Sequence, residues 1–215
     1  MFLPQQFAET RAEVLHALIR SRPLGTWVAT AGGELLANHV PFLLDESRGP
    51  HGTLFCHVAR PNPVVAHAGG PLASVVCFSG SQAYVTPSWY PGKQAHGKAV
   101  PTWNYAIVHA HGQARFIDDR DWLLQHVAAL TAAQESAREQ PWQVSDAPAS
   151  YIEQMLRGIV GVEIRIDRIE GKWKVSQNQP EANRRGVVEG LLRQGDAESV
   201  AMAGLVKQHL SDDTG

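Results

Sequence analysis

The feature of this sequence that most constrains its fold is a series of short strand-like segments in hairpin order. Residues 26–30 and 34–40 are separated by Ala31-Gly32-Gly33, whose glycines can take the positive φ that a tight hairpin needs. Further strand patterns follow at residues 53–58, 73–78, 83–85, 103–116, 159–169 and 173–175. This order predicts an antiparallel α+β barrel and disfavours a parallel βαβ sheet.

Helical patterns lie before, between and after these strands. A capping box, Thr10-x-x-Glu13, precedes an apolar face and predicts a first helix. Further helices are predicted over residues 63–68, after Asp118 as N-cap, from Tyr151 to Gly158, and from Pro180 to the end of the chain. Residues 87–101 carry dense loop signals and are expected to form the longest irregular stretch. We therefore expect a barrel domain over residues 1–178 and a helical extension over residues 179–215 that packs on it.

Composition restricts the function classes. Apolar residues make up 44% of the 215 residues, charged residues make up 19%, and the formal net charge is -2. These values argue against a disordered chain and against a general basic field that would attract nucleic acid. The sequence shows neither a signal peptide nor a run of about 18 apolar residues, so a cytoplasmic protein outside the membrane is expected. Cys56 and Cys77 lie in apolar strand segments and are expected to pack without a disulfide.

Short polar clusters at the ends of strands are the candidate binding residues. Pro41 removes one N–H from the first hairpin, which leaves that edge open to a ligand or partner near Asn38, His39 and Val40. An ordinary sheet edge with a hydrogen-bonded asparagine is the alternative.

A strand end, an arginine and a helix start fall together after Cys56. His57 ends the strand, Arg60 supplies a guanidinium group, and Asn62 precedes the short helix. A phosphate group suits this combination, because helix N–H groups and a guanidinium can neutralise it together. The alternative is that Arg60 is a solvated surface cation and Asn62 only a helix cap.

Two further clusters begin and follow strands. Thr102, Trp103 and Asn104 open the longest strand, where a flat ring could stack on Trp103, although a half-buried tryptophan at a sheet end is the commoner arrangement. Lys174 could pair with a phosphate or line a wet strand face. Gln177 offers an amide that suits the carbonyl and nitrogen edge of a heterocyclic ring.

Histidine and nucleophile patterns give no further site. His109 and His111 lie on one face of a strand, which is compatible with a metal pair. No H-E-x-x-H, no C-x-x-C and no carboxylate cluster accompanies them, so no metal is expected. The sequence also lacks the G-x-S-x-G elbow and a cysteine near a helix start, and no catalytic residue is assigned.

Taken in order, six stretches carry a resemblance to a known family: ANHVPF (37–42), HVARPNP (57–63), AYVTPSWY (83–90), VPTWNY (100–105), GIVG (158–161) and KVSQN (174–178). The chain resembles the PaiB-type FMN-binding negative transcriptional regulators of the flavin-binding split-barrel superfamily. The resemblance implies an antiparallel split β-barrel of the pyridoxamine-phosphate-oxidase-like type, with peripheral helices and a C-terminal helical segment. It also implies a homodimer with FMN at the dimer interface.

Carried onto this sequence, the resemblance makes the polar clusters above flavin neighbours: Asn38, His39, Val40, His57, Arg60, Asn62, Thr102, Trp103, Asn104, Lys174 and Gln177. Its function would be transcriptional regulation that depends on FMN. The sequence supports DNA binding only weakly, because Asn183-Arg184-Arg185 and Arg193 are a thin basis for a recognition helix. A flavin-dependent oxidoreductase and a haem-binding split barrel, with His39, His57 or His209 as the iron ligand, are the alternatives.

Overall fold

The computed structural model describes residues 1–211, apart from the side chains of residues 94–96 and 211. Within these residues the strands are β1 Ala8–Glu9, β2 Leu24–Ala31, β3 Glu34–Pro41, β4 Leu43–Asp45, β5 Thr53–Ala59, β6 Leu72–Val85, β7 Thr102–Ile117 and β8 Ile159–Lys174. The α-helices are α1 Ala12–Ser21, α2 Pro91–His96, α3 Arg120–Glu135, α4 Ala149–Arg157, α5 Glu181–Gln194 and α6 Ala197–Ser211. Short 3₁₀ helices cover Gln5–Phe7, Pro63–His67, Pro87–Trp89 and Val144–Asp146. The last four residues of the predicted C-terminal helix lie outside the described residues.

The strands form one sheet in the order β3-β2-β6-β7-β8-β5-β4, and β1 pairs with β8. β2 and β3 pair antiparallel from Leu24 opposite Pro41 to Ala31 opposite Glu34. The turn between them uses Gly32 and Gly33 with φ of 61° and 85°, which confirms the predicted hairpin. In the described part of the chain the strand order does not close on itself, so the predicted antiparallel α+β class is confirmed as an open sheet.

The chain separates into two compact units. The larger unit comprises residues 16–78 and 109–169, and the smaller unit comprises residues 1–15, 79–108 and 170 onward. Fully buried apolar side chains fill each: those of the larger unit include Trp27 and Phe78, and those of the smaller unit include Leu191 and Met202. The division into a barrel domain ending at residue 178 and a helical extension stays a prediction.

Two predicted strand breaks are wrong. Residues 79–81 continue β6 as one strand, because Gly80 does not take the positive φ of a turn and has an extended backbone. Gly171 lies inside β8 and makes no turn. A Cβ atom at Gly171 would lie 2.2 Å from the Leu15 side chain, so this glycine permits close packing instead.

The predicted irregular stretch at residues 87–101 is also partly wrong. α2 starts at Pro91, whose fixed φ suits the first position of a helix, and it is followed by Gly97 with φ of 68°. Proline and glycine therefore begin and end a short helix here. No helix within residues 1–211 is long and apolar enough to cross a membrane.

Candidate functional site

The predicted cofactor neighbours divide between the two compact units. The strand-edge group, in the larger unit, consists of Asn38, His39, Val40, His57, Arg60 and Asn62. The lysine group, in the smaller unit, consists of Thr102, Trp103, Asn104, Lys174 and Gln177. The first group is carried by β3, β5 and the turn after β5, and the second by the start of β7 and the end of β8.

Lys174 is a part-buried cation, and the groups that accept its hydrogen bonds within residues 1–211 are neutral. Its Nζ donates a hydrogen bond to the Thr102 hydroxyl and another, of 2.6 Å, to the Trp103 carbonyl oxygen. Burial lowers the pKa of Lys174, and the charge of Lys172 lowers it further. Because no carboxylate of the described chain pairs with Lys174, an anion bound beside it would be stabilised.

Lys172 lies two residues earlier on β8 and adds a second positive charge. Its Nζ donates to the Phe2 carbonyl oxygen over 3.1 Å and lies 5.5 Å from the centre of the Tyr105 ring. These contacts are with a dipole and an aromatic face. Neither contact supplies a negative charge, so the charge of Lys172 adds to the positive potential around Lys174.

Asn104 and Ser176 form a buried polar pair near Lys174. They are 1% and 3% exposed, and the Asn104 amide donates to the Ser176 hydroxyl over 2.9 Å. Ser176 has φ of 65°, the one positive value for a non-glycine residue among residues 1–211. Such a backbone costs free energy and persists where its surroundings fix it, often at binding sites. Ser176 is a site residue that sequence patterns did not single out.

A small cavity of about 170 Å³ lies among these groups. Its lining residues are Tyr90, Val100, Thr102, Asn104, Lys174, Ser176, Asn178 and Gln179. Pockets for drug-sized ligands measure roughly 300–1000 Å³, so this cavity has room for only part of a flavin nucleotide. An ammonium and a hydroxyl suit a phosphate group, and the residues therefore fit the phosphate end of FMN.

Two members of the lysine group have different surroundings from those expected. The Gln177 amide accepts a hydrogen bond from the Val175 N–H over 2.8 Å and donates to the Trp173 carbonyl oxygen, so it closes a local turn. Trp103 is 54% exposed and lies edge to face with Tyr84, with 6.0 Å between the ring centres. Its ring is therefore a surface group, and its stacking on a cofactor stays a prediction.

In the strand-edge group, two asparagines are directly joined. The Asn62 side-chain amide donates to Asn38 Oδ1 over 2.7 Å, and Asn62 Oδ1 accepts the Val64 N–H over 3.1 Å. Asn62 thus caps the 3₁₀ helix, in agreement with the alternative interpretation, and also ties that helix to β3. His39 is exposed and Val40 is half-buried on the same strand.

Arg60 is held by protein groups. Its guanidinium forms a two-bond ion pair with Asp118, at 2.8 and 2.7 Å, and also donates to the carbonyl oxygens of Arg157 and Ile159. This pairing lowers the pKa of Asp118. A phosphate at Arg60 would compete with that carboxylate, so a phosphate-binding role for Arg60 stays a prediction that this contact does not favour. The predicted N-cap of α3 was wrong by one residue: Asp119 accepts the cap hydrogen bond, while Asp118 pairs with Arg60.

His57 contacts a second imidazole that no sequence pattern indicated. His57 Nδ1 and His126 Nε2 lie 3.2 Å apart, and the His126 ring stacks on Trp122 with 5.1 Å between ring centres. Burial lowers the pKa of His57. Burial, and then the neighbouring His57, lowers the pKa of His126 to about 4. Both rings are therefore neutral at pH 7, and one donates to the other.

Comparison with known proteins adds family information. A family model described as "Putative FMN-binding domain" matches residues 1–168. The chain is 30% identical to Protease synthase and sporulation protein PAI 2 of Bacillus subtilis, with 98% of each chain covered, and 34% identical to an uncharacterized protein of Aspergillus fumigatus, with 97% of each covered. An FAD and heme binding protein from Mycobacterium smegmatis shares the fold, with a TM-score of 0.58 at 17% identity over 78% of this chain and 73% of that one.

Acidification is expected to destabilise the protein through His126. Its pKa is about 4 in the folded state and about 6.5 in an unfolded chain. Between these values the unfolded state binds more protons, so the free energy of unfolding falls as the pH falls, by about 1–2 kcal/mol at pH 5. Chemical denaturation between pH 7 and pH 5 measures this change.

Replacement of His126 identifies the contribution of its imidazole to the pH dependence of the free energy of unfolding. His126→Gln keeps an amide hydrogen bond to His57 but cannot titrate, so its stability should depend less steeply on pH. Gln134→Ala, at an exposed position of α3 that does not titrate, is the control and should keep the wild-type slope. Equal slopes for His126→Gln and the wild type would contradict the assignment.

Proposed function

Since this chain belongs to the FMN-binding domain family and FMN is its cofactor, we propose that it is a homodimeric flavoprotein whose FMN occupancy or redox state controls transcription. The observation that carries the flavin site is Lys174. It is a part-buried ammonium without a carboxylate partner in the described chain, and it lies beside the Thr102 hydroxyl at a cavity that fits a phosphate. We assign the FMN phosphate to this position.

The dimer is supported by the size of the cavity and by what surrounds it. A cavity of about 170 Å³ cannot enclose a flavin nucleotide, so the rest of the cofactor needs another surface. Trp103, Tyr84 and Val100 are 54%, 48% and 75% exposed in the same unit. Exposed apolar side chains of this kind suit an interface. In our proposal, the lysine group of one copy holds the phosphate and the strand-edge group of the partner copy lies against the ring.

The residues of this chain would bind and orient the cofactor. Bound FMN supplies reversible electron transfer. Lys174 and the Thr102 hydroxyl would hold the phosphate, and the joined amides of Asn38 and Asn62 would present fixed polar groups at the open edge of β3. His57, neutral at pH 7 because of its burial, would add no charge to the ring.

A regulatory function is supported by the family resemblance, and the name of the B. subtilis relative, Protease synthase and sporulation protein PAI 2, links that relative to sporulation. The basic run Asn183-Arg184-Arg185 does not support direct reading of DNA. Asn183 and Arg184 are 9% and 6% exposed, and Arg185 forms an ion pair with Glu181. Any DNA contact would therefore use another surface.

Loss of the Lys174 charge should weaken FMN binding selectively. We expect Lys174→Gln to weaken FMN binding by about tenfold to a hundredfold, because a charge-assisted contact with the phosphate is lost. Riboflavin has the same ring and no phosphate, so its affinity should change little. Fluorescence titration of both flavins into the apoprotein measures the two affinities.

The matched control is Lys93→Gln, which removes an exposed lysine of α2 that does not line the cavity. This variant should bind FMN like the wild type. If Lys174→Gln changes the two flavin affinities equally, or neither of them, the phosphate assignment is wrong. Arg60→Gln, which breaks the ion pair with Asp118, would then be the variant to show a selective loss of FMN.

Transcriptional control is tested by selection of bound fragments from genomic DNA of the source organism. We expect FMN-loaded and FMN-free protein to enrich specific fragments to different extents, because cofactor binding would change the dimer. Absence of enrichment in both states, together with catalytic NAD(P)H oxidation, would overturn the regulator in favour of an oxidoreductase. A Soret band in place of flavin bands in the purified protein would instead support haem binding.

A further inference from the structure

A polar pocket of about 360 Å³ in the larger unit is separate from the residues discussed so far. Three arginines line it, Arg48, Arg115 and Arg165, together with the carboxylates of Glu163 and Asp167. Arg115 extends from β7, and Arg165 and Asp167 extend from β8, which neighbours it. All three of these side chains are exposed. The pocket shares no residue with the lysine group or the strand-edge group.

Arg48 forms an ion pair with one carboxylate of the pocket. Its Nη2 lies 3.1 Å from Glu163 Oε2, and its guanidinium carbon lies 5.1 Å from the centre of the Phe55 ring. The buried Thr53 hydroxyl donates to the Arg48 carbonyl oxygen over 2.8 Å. Arg48 therefore lines this end of the pocket while paired with Glu163, and the ion pair leaves little net charge there.

Arg115 and Arg165 have guanidinium groups that no protein acceptor occupies. Within residues 1–211 neither side chain takes part in a hydrogen bond or an ion pair. The stem of Arg165 rests on the turn at Gly49, where φ is 86° and a Cβ atom would lie 3.3 Å from Arg165 Cγ. A side chain at Gly49 would crowd that stem, so the glycine leaves room for the arginine.

We propose that this pocket binds a small phosphate monoester that also carries hydroxyl groups, such as a sugar phosphate or a nucleotide. Two guanidinium groups without protein partners can each offer a pair of N–H donors to phosphate oxygens. The carboxylate of Asp167 and the amide oxygen of Gln113, which also line the pocket, accept hydrogen bonds from hydroxyl groups. The volume lies within the range of small-molecule sites.

Calorimetric titration of the FMN-loaded protein tests this site. Ribose 5-phosphate and AMP are the phosphorylated probes, and ribose is the matched ligand without a phosphate. We expect at least one phosphorylated probe to bind and ribose not to bind. The double variant Arg115→Gln/Arg165→Gln should weaken that binding at least about tenfold.

The control is Arg193→Gln, which removes an exposed arginine of α5 and should leave binding unchanged. An unchanged FMN content in the double variant would show that the fold and the flavin site are intact. Absence of binding to both phosphorylated probes, or binding that the double variant leaves unaltered, overturns the proposal. Equal affinity for inorganic phosphate overturns the assignment to a hydroxyl-bearing ligand. Duplex DNA binding that the double variant loses, without binding of the small probes, makes this a nucleic-acid surface instead.

Discussion

The antiparallel pairing of β7 with β8 is the constraint on which both binding positions depend. It places Thr102, the first residue of β7, beside Lys174, the last residue of β8, although they are 72 residues apart in sequence. Farther along the same two strands a Cβ atom at Gly112 would lie 2.0 Å from the Arg165 carbonyl oxygen, so the backbones touch there. Side chains of neighbouring strands that share a face must then lie together. Strand pairing thus brings cations into proximity without a local sequence motif.

The pairing of charges separates structural cations from those suited to a ligand. Arg60 and Arg120 form close ion pairs with Asp118 and Glu153, and they connect elements of the larger unit. Lys174, Arg115 and Arg165 have no carboxylate partner within residues 1–211. A cation held near other cations gains free energy from a bound anion, so these three are the residues that we assign to phosphate groups. Arg60 lies beside a helix start, as a phosphate-binding arginine would, but its ion pair with Asp118 does not favour a phosphate there.

The sequence was sufficient for the hairpin, the long strand β7, the approximate positions of the α-helices other than α2, and the family, because each depends on local periodicity or on contiguous motifs. It was insufficient where distant residues decide the outcome. Gly171 resembles a turn residue in sequence, but packing against Leu15 makes it part of a strand. Asp118 resembles a helix cap, but Arg60, 58 residues away, pairs with it. No sequence pattern indicated His126 as a partner of His57, because their contact joins helix α3 to strand β5, which are distant in sequence. The assignment of cofactor neighbours at the strand ends therefore stays a prediction, and the hydrogen-bond partners of those residues come from the structure.

We propose that each flavin lies between two copies of the chain, with the lysine group of one and the strand-edge group of the other. Subunit complementation separates this arrangement from a site within one copy. Lys174→Gln damages the first group and Asn38→Asp places a negative charge in the second, so each homodimer should be poor in flavin. A heterodimer of the two variants, purified with two different affinity tags, combines an unaltered Lys174 from one copy with an unaltered Asn38 from the other in a single site. We expect one FMN per heterodimer, measured from the flavin absorbance and the protein concentration. A heterodimer as poor in flavin as the two parents would show that the flavin does not bind between the two groups.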